Sequence, residues 1–391
     1  MLEYQSLNTP CYLYDLDLLA HTLDMAIRAS APFNYQIHYA IKANNNPAIT
    51  RTIAKKGLGV DCVSGNEITE SLRIGFDASQ IVYAGVGKSD MEIETALRNQ
   101  IFCINCESIE ELEVIDQIAQ KLNLNAPVAL RVNPGVNAIT HRYITTGLEE
   151  NKFGIHLSQL QQALNFCKQS DSIDFMGLHF HIGSQITDLQ AFAQLARKVN
   201  DIWVNYDIDQ YGGKILNLGG GLGIDYFAPD ENPVPDFDSY FKIFDQNLQI
   251  SRHIPVHFEL GRSLVGQSGQ LITRVLYTKK GVNKNFVVTD AGMTELMRPS
   301  LYQAVHRISN LTSKGEAFVY DVVGPVCESS DVFSKNVSMP HTQRGDILSI
   351  YSTGAYAESM TLNYNMRKKA ENYFIENRKI LENPEILKES Y

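Results

Sequence analysis

Eight short runs dense in Val, Ile, Tyr and Phe recur between residues 36 and 261. They are "QIHYAIKA" from 36, "LGVDCVS" from 58, "IVYAGVG" from 81, "IFCINCE" from 101, "PVALRVN" from 127, "DFMGLHFHIG" from 174, "KILNLGG" from 214 and "PVHFELG" from 255. Segments such as "GNEITESLRIG", "SDMEIETALRN" and "SIEELEVIDQIAQKLN" lie between them and repeat apolar residues at three- and four-residue spacing, the period of a helix. Ser108 opens the last of these as an N-cap, with acidic residues in the first turn. Strand and helix alternating eight times predict a (β/α)8 barrel over residues 27–262. A doubly wound open sheet is the alternative, but no nucleotide fingerprint accompanies the repeat. "LNLGGGLGIDY" fails G-x-G-x-x-G at Ile224, and "VYAGVGKS" fails the P-loop at Val82.

A chain of 391 residues exceeds the usual limit of one core, so a second domain is expected. After residue 263 the runs "SGQLITRVLYTKKG", "NFVVTDAG", "AFVYDVVGPVC" and "GDILSIYSTGAY" are strand-like, with only short helical pieces between them. They predict a mostly β domain from residues 263–391 together with 1–26, where "TPCYLYD" adds a strand. The charged last twenty residues read as a terminal helix. A net charge of −10 argues against nucleic acid and anionic membrane as partners. No apolar run is long enough to span a bilayer, and the N-terminus has no signal-peptide pattern, so a cytoplasmic protein is expected. Six cysteines in such a chain form no disulfide framework. Cys103 and Cys106 read as strand residues rather than ligands, and no metal is expected.

Polar residues gather where the strands end: Lys42, Asp61, His179 with His181, Gly219 to Gly221, and Glu259. In a barrel that rim is the active site. Lysine is rarely buried unless it is paired or used. Lys42 therefore reads either as an ion pair with Asp61 or Glu67 or as a reactive amine. The glycine triplet reads either as a tight turn or as a phosphate cradle of backbone N–H groups, with Ser184, Gly261 and Arg262 near it. A lysine, a carboxylate and a phosphate cradle together suggest pyridoxal phosphate. Lys42 would bond the cofactor's aldehyde, a carboxylate would keep the pyridine nitrogen protonated, and His181 would stack on the ring.

The motifs "HYAIKANNNP", "GLGVDCVSGNEI", "YAGVGKSDMEI", "RVNPGVNAITHRYITTG", "ENKFGI", "GLHFHIGSQI", "LNLGGGLGIDY", "FELGRSLVGQSG", "DAGMTELMRPSLY", "VVGPVCESSDVF" and "STGAYAESMTLNYN" occur in order across almost the whole chain. Together they resemble the diaminopimelate decarboxylase family, of the alanine-racemase-like class with a barrel and a β domain. Leu260 stands where many relatives have proline. The resemblance implies catalytic roles for Lys42, His181, Glu259 and Cys327. It places Asp61, Ser184, Gly219, Gly220, Gly221, Gly261, Arg262 and Tyr356 around the cofactor.

It also implies that Arg298 and Tyr302, with Arg262 and Tyr356, hold the substrate, the first two at its distal carboxylate. Their spacing puts Arg298 and Tyr302 on one helix face, with Pro299 in the first turn; a surface salt bridge is the alternative for the arginine. Cys327 is implied as the proton donor and Glu328 as the partner of the distal ammonium, both contributed across a homodimer interface. The implied reaction is decarboxylation of meso-2,6-diaminopimelate to L-lysine and CO2, the last step of lysine biosynthesis. The alternative is a sister decarboxylase of a carboxylated polyamine or basic amino acid. Arg298 and Glu328 together suit a substrate end with both charges, and "CESSD" departs from the "CDG" of ornithine decarboxylases. A relative that only binds the cofactor would lack Lys42 or Cys327, and both are present.

Overall fold

The computed structural model describes residues 4–135 and 152–388. Eight parallel strands close a barrel: Gln36–Ala40, Gly59–Cys62, Ile81–Tyr83, Cys103–Cys106, Ala126–Arg131, Ile173–His179, Ile215–Asn217 and Val256–Leu260. Each falls within one of the eight apolar runs or within a residue of it. The first pairs with the last, so His38 lies opposite Glu259. Several strands are buried at every position, which is why their sequences read as apolar runs rather than alternations. Helices Gly65–Ile74, Asp90–Arg98 and Ile109–Leu122 follow the second, third and fourth strands. Ser108 caps the last of them by accepting the Glu111 N–H at 3.1 Å. Cys103 and Cys106 are buried strand residues. Val82, Cys103, Ala129, Met176 and Ile215 form a small separate cluster of the apolar core.

The remaining strands form one nine-stranded mixed sheet. Cys11–Asp15 sits inside it, antiparallel to Gly269–Lys280 and parallel to Glu371–Glu376. The N-terminal run thus joins the β domain, as its sequence suggests. The expected terminal helix is corrected. Glu371–Glu376 and Lys379–Leu381 form a hairpin, and among the described residues of the segment only Glu385–Lys388 is helical. Asn377 and Arg378 both take positive φ, 52° and 61°, as a two-residue hairpin turn requires. The edge of Cys11–Asp15 supplies a partner for Glu371–Glu376, and that pairing overrides local helical composition. The motif over residues 131–147 lies largely outside the described residues.

The asparagines after Lys42 join the two layers. Asn44 donates to the Gly354 carbonyl at 2.9 Å, and Asn46 donates to Glu358 at 3.2 Å. Tyr14 donates to the same Glu358 at 2.6 Å. The Tyr356 N–H donates to the Ala43 carbonyl at 2.7 Å. The turn that carries Lys42 is therefore bonded to the loop that carries Tyr356.

Candidate active site

The first barrel strand stops at Ala40, and Lys42 sits in the 3₁₀ turn Ile41–Ala43 just beyond it. Its Nζ lies 3.2 Å from Asp61 Oδ2; the lysine side chain is 39% exposed and the Asp61 side chain 0%. The ion pair that the sequence allowed is present. Among the described residues it leaves Asp61 Oδ1 buried without a hydrogen-bond partner. Burial and then Glu259 push Asp61 up to about 7, against the pull of Lys42. Glu259 occupies the barrel centre. Its Oε1 accepts from Asn105 at 3.0 Å and Asn217 at 2.8 Å, and its Oε2 lies 3.0 Å from His179 Nε2. Burial would raise Glu259, but His179 and Lys42 outweigh it and hold the carboxyl well below its usual range. Two carboxylates near one lysine are thus driven apart, one ionised and one poised near neutrality.

This difference has a measurable sign. The folded Asp61 pKa lies above its unfolded value near 4. Its contribution to stability is full below about pH 4 and declines as pH rises through about 7. Asp61→Asn removes that slope. In apoprotein melts, wild-type minus variant Tm should fall between pH 5 and pH 8. A difference independent of pH would refute the raised Asp61.

The walls of the site form a cavity of about 450 Å³. Lys42, Asp61, His181, Ser184, Gly221, Glu259, Gly261, Arg262, Arg298, Tyr302 and Tyr356 line it, which brings together most of the residues singled out in the sequence. His181 Nδ1 accepts the Gly220 N–H at 3.2 Å. Burial, then Arg131 and Lys42, lowers its pKa well below the usual value, so the ring is neutral. Of the glycine triplet only Gly221 lines the cavity. The N–H groups of Gly219 and Gly220 donate to Asn217 and His181. A Cβ on Gly220 would lie 1.9 Å from the Glu259 carbonyl, so the backbone must pass bare there.

Arg262 donates to Ser184 Oγ at 3.1 Å and to the Tyr226 hydroxyl at 2.5 Å, and its guanidinium lies 4.8 Å from the centre of the Tyr356 ring. Arg298 opens the short helix Arg298–Tyr302, with proline in its first turn. It is 5% exposed and in no ion pair among the described residues, so it is not a surface salt bridge. Cys327 and Glu328 lie outside this chain's cavity. Both are exposed, and Glu328 accepts from Tyr364 at 2.8 Å.

Several residues of the site carried no assigned role in the sequence, although His179 was placed on the active rim. His179, Asn105 and Asn217 hold Glu259, while Tyr226 and His306 hold Arg298. His179 and Asn217 did carry a signal, since each ends a barrel strand. Tyr226 closes the "GGGLGIDY" motif. His306 lies eight residues beyond Arg298 and carried none.

A barrel with a lysine, an ionised carboxylate and two buried arginines on one rim is the architecture of a pyridoxal-dependent enzyme. Residues 20–266 match the family model of the pyridoxal-dependent decarboxylase, pyridoxal binding domain. The chain is 47% identical over 372 residues to a diaminopimelate decarboxylase of Bacteroides thetaiotaomicron, covering 95% of this chain and 96% of that one. It is 42% identical over 379 residues to a diaminopimelate decarboxylase of Helicobacter pylori, covering 96% and 93%. Its fold superposes with TM-score 0.91 on the crystal structure of diaminopimelate decarboxylase from Helicobacter pylori complexed with L-lysine, at 40% identity, covering 97% and 94%. The chain belongs to the pyridoxal-dependent decarboxylases, and within them to the diaminopimelate decarboxylase family.

Its cofactor is pyridoxal phosphate, and the residues present fit that group. An amine borders the cavity, an ionised carboxylate waits at the barrel centre, and among the described residues Arg262 keeps a buried Nε without a partner. Among the described residues no helix is long and apolar enough to cross a membrane.

Proposed function

We propose that this chain converts meso-2,6-diaminopimelate to L-lysine and CO2. The observation that carries the reading is Arg298, a buried guanidinium in the cavity wall with no carboxylate partner among the described residues. Burial, with Arg262 nearby, disfavours its charge. A substrate with a second carboxylate restores the balance, through two parallel hydrogen bonds. An amino acid whose far end carries only an ammonium leaves that charge unanswered.

When bound, pyridoxal phosphate accepts the electron pair left behind as CO2 departs. Lys42 would hold the cofactor through its aldehyde carbon. Glu259 would keep a proton at the ring nitrogen. Neutral His181 in the cavity wall would pack on the ring, and Asp61 balances Lys42. Ser184, Gly221, Gly261, Arg262 and Tyr356, which line the cavity, would hold the phosphate, and Gly219 and Gly220 form the adjoining turn. Arg262, Arg298, Tyr302 and Tyr356 hold the substrate.

Cys327 and Glu328 complete the site of a second copy: the thiol gives a proton to the carbon that lost CO2, and Glu328 binds the distal ammonium. Exposed Leu301, Val305, Leu362, Tyr364 and Met366 (92% exposed) supply apolar surface that suits a homodimer interface. Residues 27–262 form the barrel domain, and 1–26 with 263–391 the β domain that completes the site. Six free cysteines, five of them buried, fit a reducing compartment, and we assign the protein to the cytoplasm.

The test is lysine formation from meso-diaminopimelate by the holoenzyme, with L-ornithine and L-lysine as parallel substrates. Lysine appears, and the two monocarboxylates stay near background. Turnover of ornithine or lysine in place of diaminopimelate overturns the substrate and leaves the cofactor site intact. In Arg298→Ala, KM for diaminopimelate rises about a hundredfold, as expected for loss of a two-pronged charged contact. Steady-state kinetics check this, and an unchanged KM removes Arg298 from substrate binding.

A further inference from the structure

Arg298 is gripped by uncharged acceptors. Its Nη1 donates to the Tyr226 hydroxyl at 2.8 Å and to His306 Nε2 at 2.9 Å. The direction of the second bond follows from the other side of the imidazole. His306 Nδ1 lies 2.8 Å from the Tyr351 carbonyl, which can only accept. Nδ1 therefore carries the ring proton, and Nε2 offers its lone pair. Burial and Arg298 lower His306 to about 3, which agrees with a ring that stays neutral. Both Nη1 protons thus face the protein. Among the described residues, Arg298 Nε and Nη2 donate to no protein group. These two nitrogens form the edge of a guanidinium that matches a carboxylate.

The same phenol oxygen serves both arginines of the site. Tyr226 accepts from Arg262 Nη1 at 2.5 Å as well as from Arg298, and its ring packs edge-on against His306 with centres 4.9 Å apart. Both Tyr226 and His306 are buried, 6% and 2% exposed. An aspartate or glutamate in either place would orient Arg298 equally well. It would also cancel the charge that a substrate carboxylate needs, and would compete for the same protons.

We propose that Tyr226 and His306 are positioning residues that set selectivity for a second carboxylate, by aiming Arg298 at the cavity without neutralising it. The proposal rests on the dicarboxylate reading above. It assigns neither residue a contact with substrate. Their effect is confined to ligands that carry the distal carboxylate.

The product separates this role from a packing role. L-lysine keeps the carboxylate that Arg298 holds, whereas 1,5-diaminopentane has the same chain and no carboxylate. Wild-type, His306→Phe, His306→Gln and Tyr226→Phe holoenzymes are compared by kcat and KM for meso-diaminopimelate and by inhibition constants for these two ligands. In His306→Phe, KM and the lysine inhibition constant rise together about tenfold, the loss expected for one hydrogen bond to a charged group. The diaminopentane constant stays within about twofold, and His306→Gln, which restores an acceptor, recovers most of the loss. Tyr226→Phe shows the same split, and Arg262 keeps its bond to Ser184.

Equal weakening of lysine and diaminopentane, or a fall in kcat alone, overturns the proposal. If wild-type enzyme makes no lysine from diaminopimelate, the substrate reading falls and this inference with it. If it makes lysine and the variants show no contrast between the two ligands, only this inference falls.

Discussion

Replacing Lys42 by alanine lowers lysine formation at least about a thousandfold, the scale on which loss of a covalent catalytic group is felt. Borohydride treatment then no longer fixes pyridoxal phosphate to the protein, which mass spectrometry of the treated chain detects. The amine stands alone in its role. It lies 3.2 Å from Asp61 and borders the cavity. Lys88, another lysine of the rim, is already bonded to the Gly85 and Asn105 carbonyls and to Glu111.

The variant also leaves Asp61 and Glu259 without a cation between them. Asp61, already pushed up to about 7, then moves higher. The apoprotein loses stability above neutral pH more steeply than wild type, following the sign worked out for Asp61. Full activity in Lys42→Ala, or cofactor still fixed by borohydride, would remove the lysine from the centre of the reaction.

Mixing two inactive proteins should restore activity. Lys42→Ala is defective in its own site. Cys327→Ala is defective only in the site its loop serves, which the proposed dimer places on the other copy. In a hybrid dimer one site receives both defects and the other neither. Random exchange of subunits makes about half the dimers hybrid, so activity returns to about one quarter of wild type for a symmetric pair.

The structure gives this experiment its basis. Cys327 is exposed, its N–H donates to Asn365 at 3.2 Å, and it lies outside the cavity that holds Lys42. No recovery after verified subunit exchange would place Cys327 in its own chain's site or outside the chemistry altogether. Dilution that dissociates the dimer should abolish the recovered activity.

Much of this was legible because it depends on local pattern. The eight barrel strands are buried on both faces, so each announces itself as an apolar run, and Lys42, Asp61, His181 and Glu259 stand out as polar breaks at their ends. The hairpin Glu371–Leu381 was not legible. Its strand exists because Cys11–Asp15, some 360 positions away, offers a free edge. Tyr226, His306 and the asparagines around Glu259 received no role from the sequence for a related reason. Tyr226 and the asparagines act on residues distant in the chain, as when Asn105 reaches across 154 positions to Glu259, while His306 meets Arg298 eight positions back, a spacing outside the i+3/i+4 pattern of a helix face.

The amino-acid sequence by itself determined the barrel, the pyridoxal chemistry and the family, because strand period, rim residues and long ordered motifs are properties of neighbouring positions. Only the tertiary structure decided which protons are already taken. It showed that Gly219 and Gly220 point their N–H groups at the protein, that Glu259 is caged by three donors, and that Arg298 keeps one edge open. Hydrogen bonds depend on distance and angle between side chains remote in sequence, and no one-dimensional pattern encodes those.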